Sequence, residues 1–242
     1  MISTEVLVSS SSPPQACPIR LARAMGEVRK NAIDSRGTGV PADPPTGEQF
    51  ALLSIGHSNA SLDDILQLLG TNDVDVVADI RSYPRSRYVP HFDALPLQQG
   101  LRAHGIDYVA LGQQLGGRPQ GESFYDPDGH VRYDRLAEAD FFAVGLERLL
   151  AGVARFRIAM LCSEENPANC HRHLLIGVVL AMRGVEVGHI RHDGRVEPDG
   201  TLPRPPGMRD DGVMNLFVSE NSGWRSLRSV SPRGAHARSS MR

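Results

Sequence analysis

The chain has 242 residues, 40% of them hydrophobic and 22% charged, with a formal net charge of −2. That is a globular composition with no global field to draw it to nucleic acid or membrane, and no apolar run approaches the length of a bilayer span. Lys30 is the single lysine, so lysine Schiff-base chemistry and a Gly-Lys-Ser/Thr phosphate loop are excluded unless Lys30 serves, and anion recognition falls to arginine forks.

Residues 1–49 are dominated by serine, proline and glycine (SSSSPP, RGTG, PADPPTGE) and carry no sustained apolar period. They read as a loosely ordered leader with a short helix near Leu21–Lys30. The N-terminus lacks the basic-then-apolar order of a secretory signal, and three cysteines make no disulfide framework, so a cytoplasmic setting with reduced thiols is expected. The folded domain is expected over residues 50–192. A proline- and arginine-rich tail, 193–242, follows, in which Val213–Val218 and Trp224 suggest a small docked strand.

Within the domain, FALLSIG reads as a buried strand. The next segment, SLDDILQLLGTN, has Ser61 as N-cap, Asp64 as its capping-box partner, and Ile65, Leu68 and Leu69 on one helical face. Val74–Ile80 is a β-branched second strand, and HFDALPLQQGLRAHG holds a helix ending at Gly105. IDYVAL is a third strand; a helix is predicted from about Leu136 to Val153; FRIAMLC is a fourth strand. CHRHLLIGVVLAMRG is a helix with Asn169 as its cap, and VEVGHI a fifth strand. Strands alternating with helices predict an α/β three-layer sandwich around a mostly parallel, roughly five-stranded, Rossmann-like sheet. In such folds the strand C-termini share one edge, where ligands bind.

The polar residues fall where that rule expects them. After the first strand come His57 and Ser58. After the second come Asp79, Arg81, Arg85 and Arg87, interleaved with Tyr83, Tyr88 and Phe92; guanidinium groups supply charge and paired donors, and rings can stack on a base. After the third, Gly116, Gly117 and Arg118 resemble a backbone anion nest. After the fourth comes LCSEENPANCHRHLL. If Asn169 caps the following helix, Cys170 and His171 lie in its first turn, where the dipole lowers a thiol pKa and attracts anions. Three readings stay open for this stretch. Cys162 or Cys170 is a thiolate nucleophile assisted by His171; or the cysteines and histidines bind zinc; or Arg172 simply holds a phosphate. The Cys-x7-Cys-His-x-His spacing fits no usual zinc module, so no metal or cofactor is assigned.

Four ordered motifs, GHSNASLDDILQLL, VVADIRSYPRSRYVPHF, YVALGQQLGGR and LCSEENPANCHRHLL, closely resemble the DUF488 family over about Leu52–Ile190. The resemblance implies an α/β domain and no mechanism. The GQQ before LGG departs from the family pattern. The Asp-x-Arg after the second strand also has a fold-level likeness to rhodanese-type domains.

The expected ligand is a phosphate-bearing small molecule or a nucleic-acid end. An enzyme would use Cys162, Cys170, His171 or His57, or else Glu164 as base for a water. Ser58, Asp79, Arg81, Arg85, Arg87, Tyr88, Gly116, Gly117, Arg118 and Arg172 would form the binding surface. A non-catalytic nucleic-acid-binding module and a zinc protein are the alternatives.

Overall fold

A computed structural model describes residues 50–203, 205 and 223–230. The expected helix near Leu21–Lys30 and the strand at Val213–Val218 lie outside those residues. Six strands make the main sheet: β1 (Leu52–Gly56), β2 (Val76–Asp79), β3 (Asp107–Ala110), β5 (Ile158–Cys162), β6 (Val187–Ile190) and β7 (Val196–Pro198). Their spatial order is β3-β2-β5-β1-β6-β7, with every pair parallel except the antiparallel β6–β7 edge. The chain is thus a three-layer α/β sandwich, with one strand more than the sequence suggested.

Alternation along the strands fills both faces. Leu53, Ile55, Val77, Ala159 and Leu161 pack beneath α1 (Leu62–Thr71) and α2 (Ala94–Ala103). Leu52, Val76, Ala78, Met160 and Cys162 face the opposite way, towards α5 (Asp140–Val153) and α6 (Val178–Met182). The predicted capping box closes α1: Ser61 Oγ accepts from the Asp64 N–H, and the Asp64 carboxylate accepts from the Ser61 N–H.

Three local departures matter for the site. The GQQ segment forms a single helical turn, α3 (Gly112–Leu115). The helix expected from Leu136 breaks at Glu138–Ala139 into α4 (Tyr133–Ala137) and α5. Asn169 is not a helix cap. Asn166 Oδ1 accepts from the Ala168 N–H (3.0 Å), and Pro167 opens a 3₁₀ turn that ends at Asn169. Cys170 is therefore extended (φ −120°, ψ 145°), and its carbonyl accepts the first helical N–H groups, from His173 and Leu174. Helix continues through a wide π-type stretch, Arg172–Gly177, into α6. Cys170 so precedes the first turn instead of lying in it.

Residues beyond 192 add more than β7. β8 (Arg225–Ser229) pairs antiparallel with β4 (His130–Arg132), a strand inside what reads in sequence as a long loop. Buried Trp224 leads into β8, and its indole N–H donates to the Leu174 carbonyl (2.6 Å).

Candidate functional site at the C-terminal edge of the sheet

The four loops predicted to converge do so. They border a cavity of about 670 Å³ whose lining includes His57, Arg81, Arg118, Cys162, Cys170 and His171. Ser58, Arg85, Tyr88 and Glu164 also line it; Arg87, Asp79, Gly116 and Arg172 do not.

The loop after β1 is held against the end of β5. The His57 and Ser58 N–H groups donate to the Cys162 and Ser163 carbonyls (3.0 and 2.8 Å), extending the β1–β5 pairing by two residues. Gly56 permits this closeness, because a Cβ there would lie 1.7 Å from the Glu164 carbonyl oxygen. His57 Nδ1 faces the Ser58 carbonyl (2.9 Å), so Nδ1 carries the proton and Nε2 accepts from Arg81 Nη1 (3.2 Å). The ring also stacks on Phe92 with centroids 4.3 Å apart. Burial, and then the Arg81 charge, lower its pKa to about 4. With Nδ1 facing the Ser58 carbonyl and Nε2 facing Arg81, His57 is placed to orient Arg81.

Arg81 is itself pinned. Asp79 accepts from its Nε (2.9 Å), its Nη2 (2.6 Å) and its backbone N–H (3.0 Å), and Tyr108 Oη donates to the same carboxylate (2.9 Å). Burial, then the Asp79 charge, push the Tyr108 phenol up, so it stays protonated as that donor. The pair is almost completely buried. Arg81 therefore gives the cavity floor a fixed shape and residual N–H donors, with its charge cancelled by Asp79. Three exposed arginines line the cavity, Arg85, Arg118 and Arg228; among the described residues Arg85 and Arg118 have no ion-pair partner, while Arg228 lies near Glu164. Arg87 sits outside the cavity, donating to Tyr88 Oη (2.7 Å) and lying over its ring, and Tyr88 is 78% exposed.

The glycine loop spends two of its backbone N–H groups within the fold. The Gly116 N–H donates to the Gly112 carbonyl and the Arg118 N–H to Ser82 Oγ (2.9 Å), so those donors are already used. The glycines serve close packing: a Cβ on Gly117 would lie 2.7 Å from the His171 ring. Arg172 also departs from expectation. It is fully buried and away from the cavity, with Nη1 donating to the Glu164 carbonyl (2.7 Å) and Nη2 to that of Glu165. It shapes the loop after β5.

At the floor lie two thiols and one imidazole. Cys162 Sγ and Cys170 Sγ are each 3.7 Å from His171 Nδ1, and both cysteines are free. The Cys162 pKa is pulled well below the usual thiol value. S–H donation from Cys170 contributes most, and His171 and Arg172 add to it against the opposing effect of burial. Cys170 is pushed well above, by burial first and then by Cys162. The dipole argument concerned Cys170, yet it is the Cys162 thiol whose pKa is lowered. His171 Nε2 is buried with no hydrogen-bond partner. The three side chains present ligand atoms within 4.8 Å of one another, a set able to hold a soft divalent metal. A second such group, His173, His189 and Asp199, lies in the core. There Asp199 Oδ1 accepts from His173 Nδ1 (2.7 Å) and His189 Nε2 (3.0 Å), tying the segment after β7 to the sheet.

Sequence reasoning missed the far wall. Ser226, Leu227, Arg228 and Val230 line the cavity, and Arg228 Nη1 lies 3.7 Å from Glu164 Oε1. Among these residues the one legible sign was Trp224, the anchor immediately upstream.

Residues 61–179 match the family model described as "Domain of unknown function DUF488". The chain carries a DUF488 domain. No curated protein and no solved structure matches the chain. The DUF488 match runs from the cap of α1 into α6. It leaves out β1 with His57 and Ser58, the β6–β7 edge, and β8 with Arg228. Two walls of the cavity thus come from outside the matched DUF488 segment. Among the described residues no helix is long and apolar enough to cross a membrane.

Proposed function

We propose that this protein is a cytoplasmic hydrolase or transferase acting on a phosphate-bearing ligand, a nucleotide or nucleic-acid end, with Cys162 as nucleophile. The observation that carries the reading is the Cys162–His171 pair at the floor of a cavity rimmed by the exposed guanidinium groups of Arg85 and Arg118. Arg85 and Arg118 take the phosphate oxygens as two-point donors, and Tyr88 offers a stacking face. The Cys162 thiolate attacks phosphorus; an S–P bond forms, and the bond to the leaving oxygen breaks. That oxygen takes the proton held at His171. Water, deprotonated by Glu164, or an acceptor hydroxyl then cleaves the S–P bond and returns the thiolate.

The test uses the full chain and a panel of nucleoside phosphates and 5′-phosphorylated oligonucleotides. Turnover is expected to vanish in Cys162→Ser and after iodoacetamide treatment, while binding of a fluorescent nucleotide persists. Salt-sensitive oligonucleotide binding without turnover, unchanged by alkylation, would refute the reading and support a non-catalytic module.

A further inference from the structure

A nucleophilic phosphoryl step uses one thiol, yet two stand at the cavity floor. Cys162 ends β5; Cys170 sits at the entry to the following helix, on the other side of the loop 163–169. Arg172 holds that loop by two carbonyls, and Asn166 caps the turn within it. The thiols are therefore kept adjacent by a fixed frame. Each lies 3.7 Å from His171 Nδ1, and the three atoms are within 4.8 Å of one another. Both cysteines, although buried, line the cavity.

We infer that Cys162 and Cys170 form a reversible dithiol–disulfide couple, in which a hydroperoxide oxidises Cys162 and Cys170 resolves the product. This stands independently of the phosphate ligand proposed above. In the first step the Cys162 thiolate attacks the terminal peroxide oxygen. An S–O bond forms and the O–O bond breaks, leaving Cys162 as sulfenic acid; the departing alkoxide or hydroxide takes the proton held at His171. In the second step the Cys170 sulfur attacks the Cys162 sulfur. The S–S bond forms, the S–O bond breaks, and hydroxide leaves with the Cys170 thiol proton as water. Two electrons pass from the thiol pair to the peroxide. A disulfide needs an S–S separation of about 2 Å, so the two side chains must turn about χ1 to close it.

The experiment uses the full chain carrying Cys17→Ser, which removes the remaining cysteine, found outside the described residues. After one equivalent of hydrogen peroxide and then N-ethylmaleimide, intact mass is expected to show the loss of two hydrogens and no maleimide, both reversed by dithiothreitol. With Cys170→Ser added, dimedone is expected to label Cys162; with Cys162→Ser added, Cys170 is expected to stay unlabelled. Circular dichroism confirms that each variant is folded. Double maleimide labelling of the peroxide-treated protein overturns the inference. So does dimedone capture at Cys170 in the Cys162→Ser protein, or one zinc per chain whose removal is required before either thiol reacts. Loss of nucleotide turnover with the disulfide chemistry intact would count against the phosphate reading alone.

Discussion

Replacing Asp79 with Asn tests the claim that the cavity floor is built on a buried ion pair. Asp79 is 1% exposed and Arg81 5%, and the carboxylate accepts four hydrogen bonds, three from Arg81 and one from Tyr108. Asparagine keeps one acceptor oxygen, so the bonds from the Arg81 N–H and Nε can survive. Its NH₂ group then meets Arg81 Nη2, donor against donor, and the guanidinium is left buried without a counter-charge. Removing one partner of a buried pair costs about 3–5 kcal/mol. The surviving bonds place Asp79→Asn near the lower end, about 3 kcal/mol. With a urea dependence of about 2 kcal/mol per molar, the unfolding midpoint should fall by about 1.5 M. Adding Arg81→Met removes the stranded charge, and the double variant should be more stable than Asp79→Asn alone. The assay is urea unfolding followed by circular dichroism on wild type, both single variants and the double. A single-variant loss under about 1 kcal/mol, or a double variant no more stable than Asp79→Asn, would refute the argument.

Three further outcomes are expected. Because the folded-state pKa of His57 is about 4 against an ordinary 6.5, the unfolded chain takes up this proton first as pH falls. Stability should therefore drop between about pH 6.5 and 4 by up to about 3 kcal/mol from this group. His57→Gln, which still offers Arg81 an acceptor, should flatten that slope in urea midpoints compared at pH 7 and 4.5; an unchanged slope would contradict the assignment. Trp224→Ala removes a buried ring and its bond to Leu174, at a cost of about 3–5 kcal/mol, and a calorimetric loss below about 1 kcal/mol would show that Trp224 does not anchor β8. Arg118→Ala and Arg85→Ala should each weaken binding of a fluorescent nucleotide by about tenfold, consistent with the loss of a charge-assisted contact of about 1.5 kcal/mol. Arg87→Ala, outside the cavity, should change it less than twofold, and equal effects at all three arginines would argue for unspecific charge attraction.

The parallel core was legible because its signals are local. Alternation in Leu52–Gly56 and Ile158–Cys162, and the Ser61–Asp64 capping box, depend on neighbours in sequence. The convergence of the four loops followed from topology, since parallel strands present their C-terminal ends together. What the sequence could not reveal was which polar groups would be consumed internally. Arg81, Arg85, Arg118 and Arg172 look alike as letters. Arg81 meets a carboxylate two residues away, and Arg172 meets carbonyls on a loop whose turn is set by Asn166. Asn166 and Asn169 are both plausible caps by residue type; Pro167 at the first position of the turn favours the earlier one. β4 and β8 were hidden because each finds its partner about a hundred residues away.

β1 lies between β5 and β6 in the middle of the sheet, yet it precedes the segment matched to the family. A protein cut back to residues 61–179 would lose its central strand, leave β5 with an unpaired edge, and strip the apolar residues under α1 of their partners on β1. Sequence-defined limits and the cooperative folding unit are thus different objects here. Any fragment meant to keep the cavity must include β1 and the Trp224–β8 segment, which supplies its far wall.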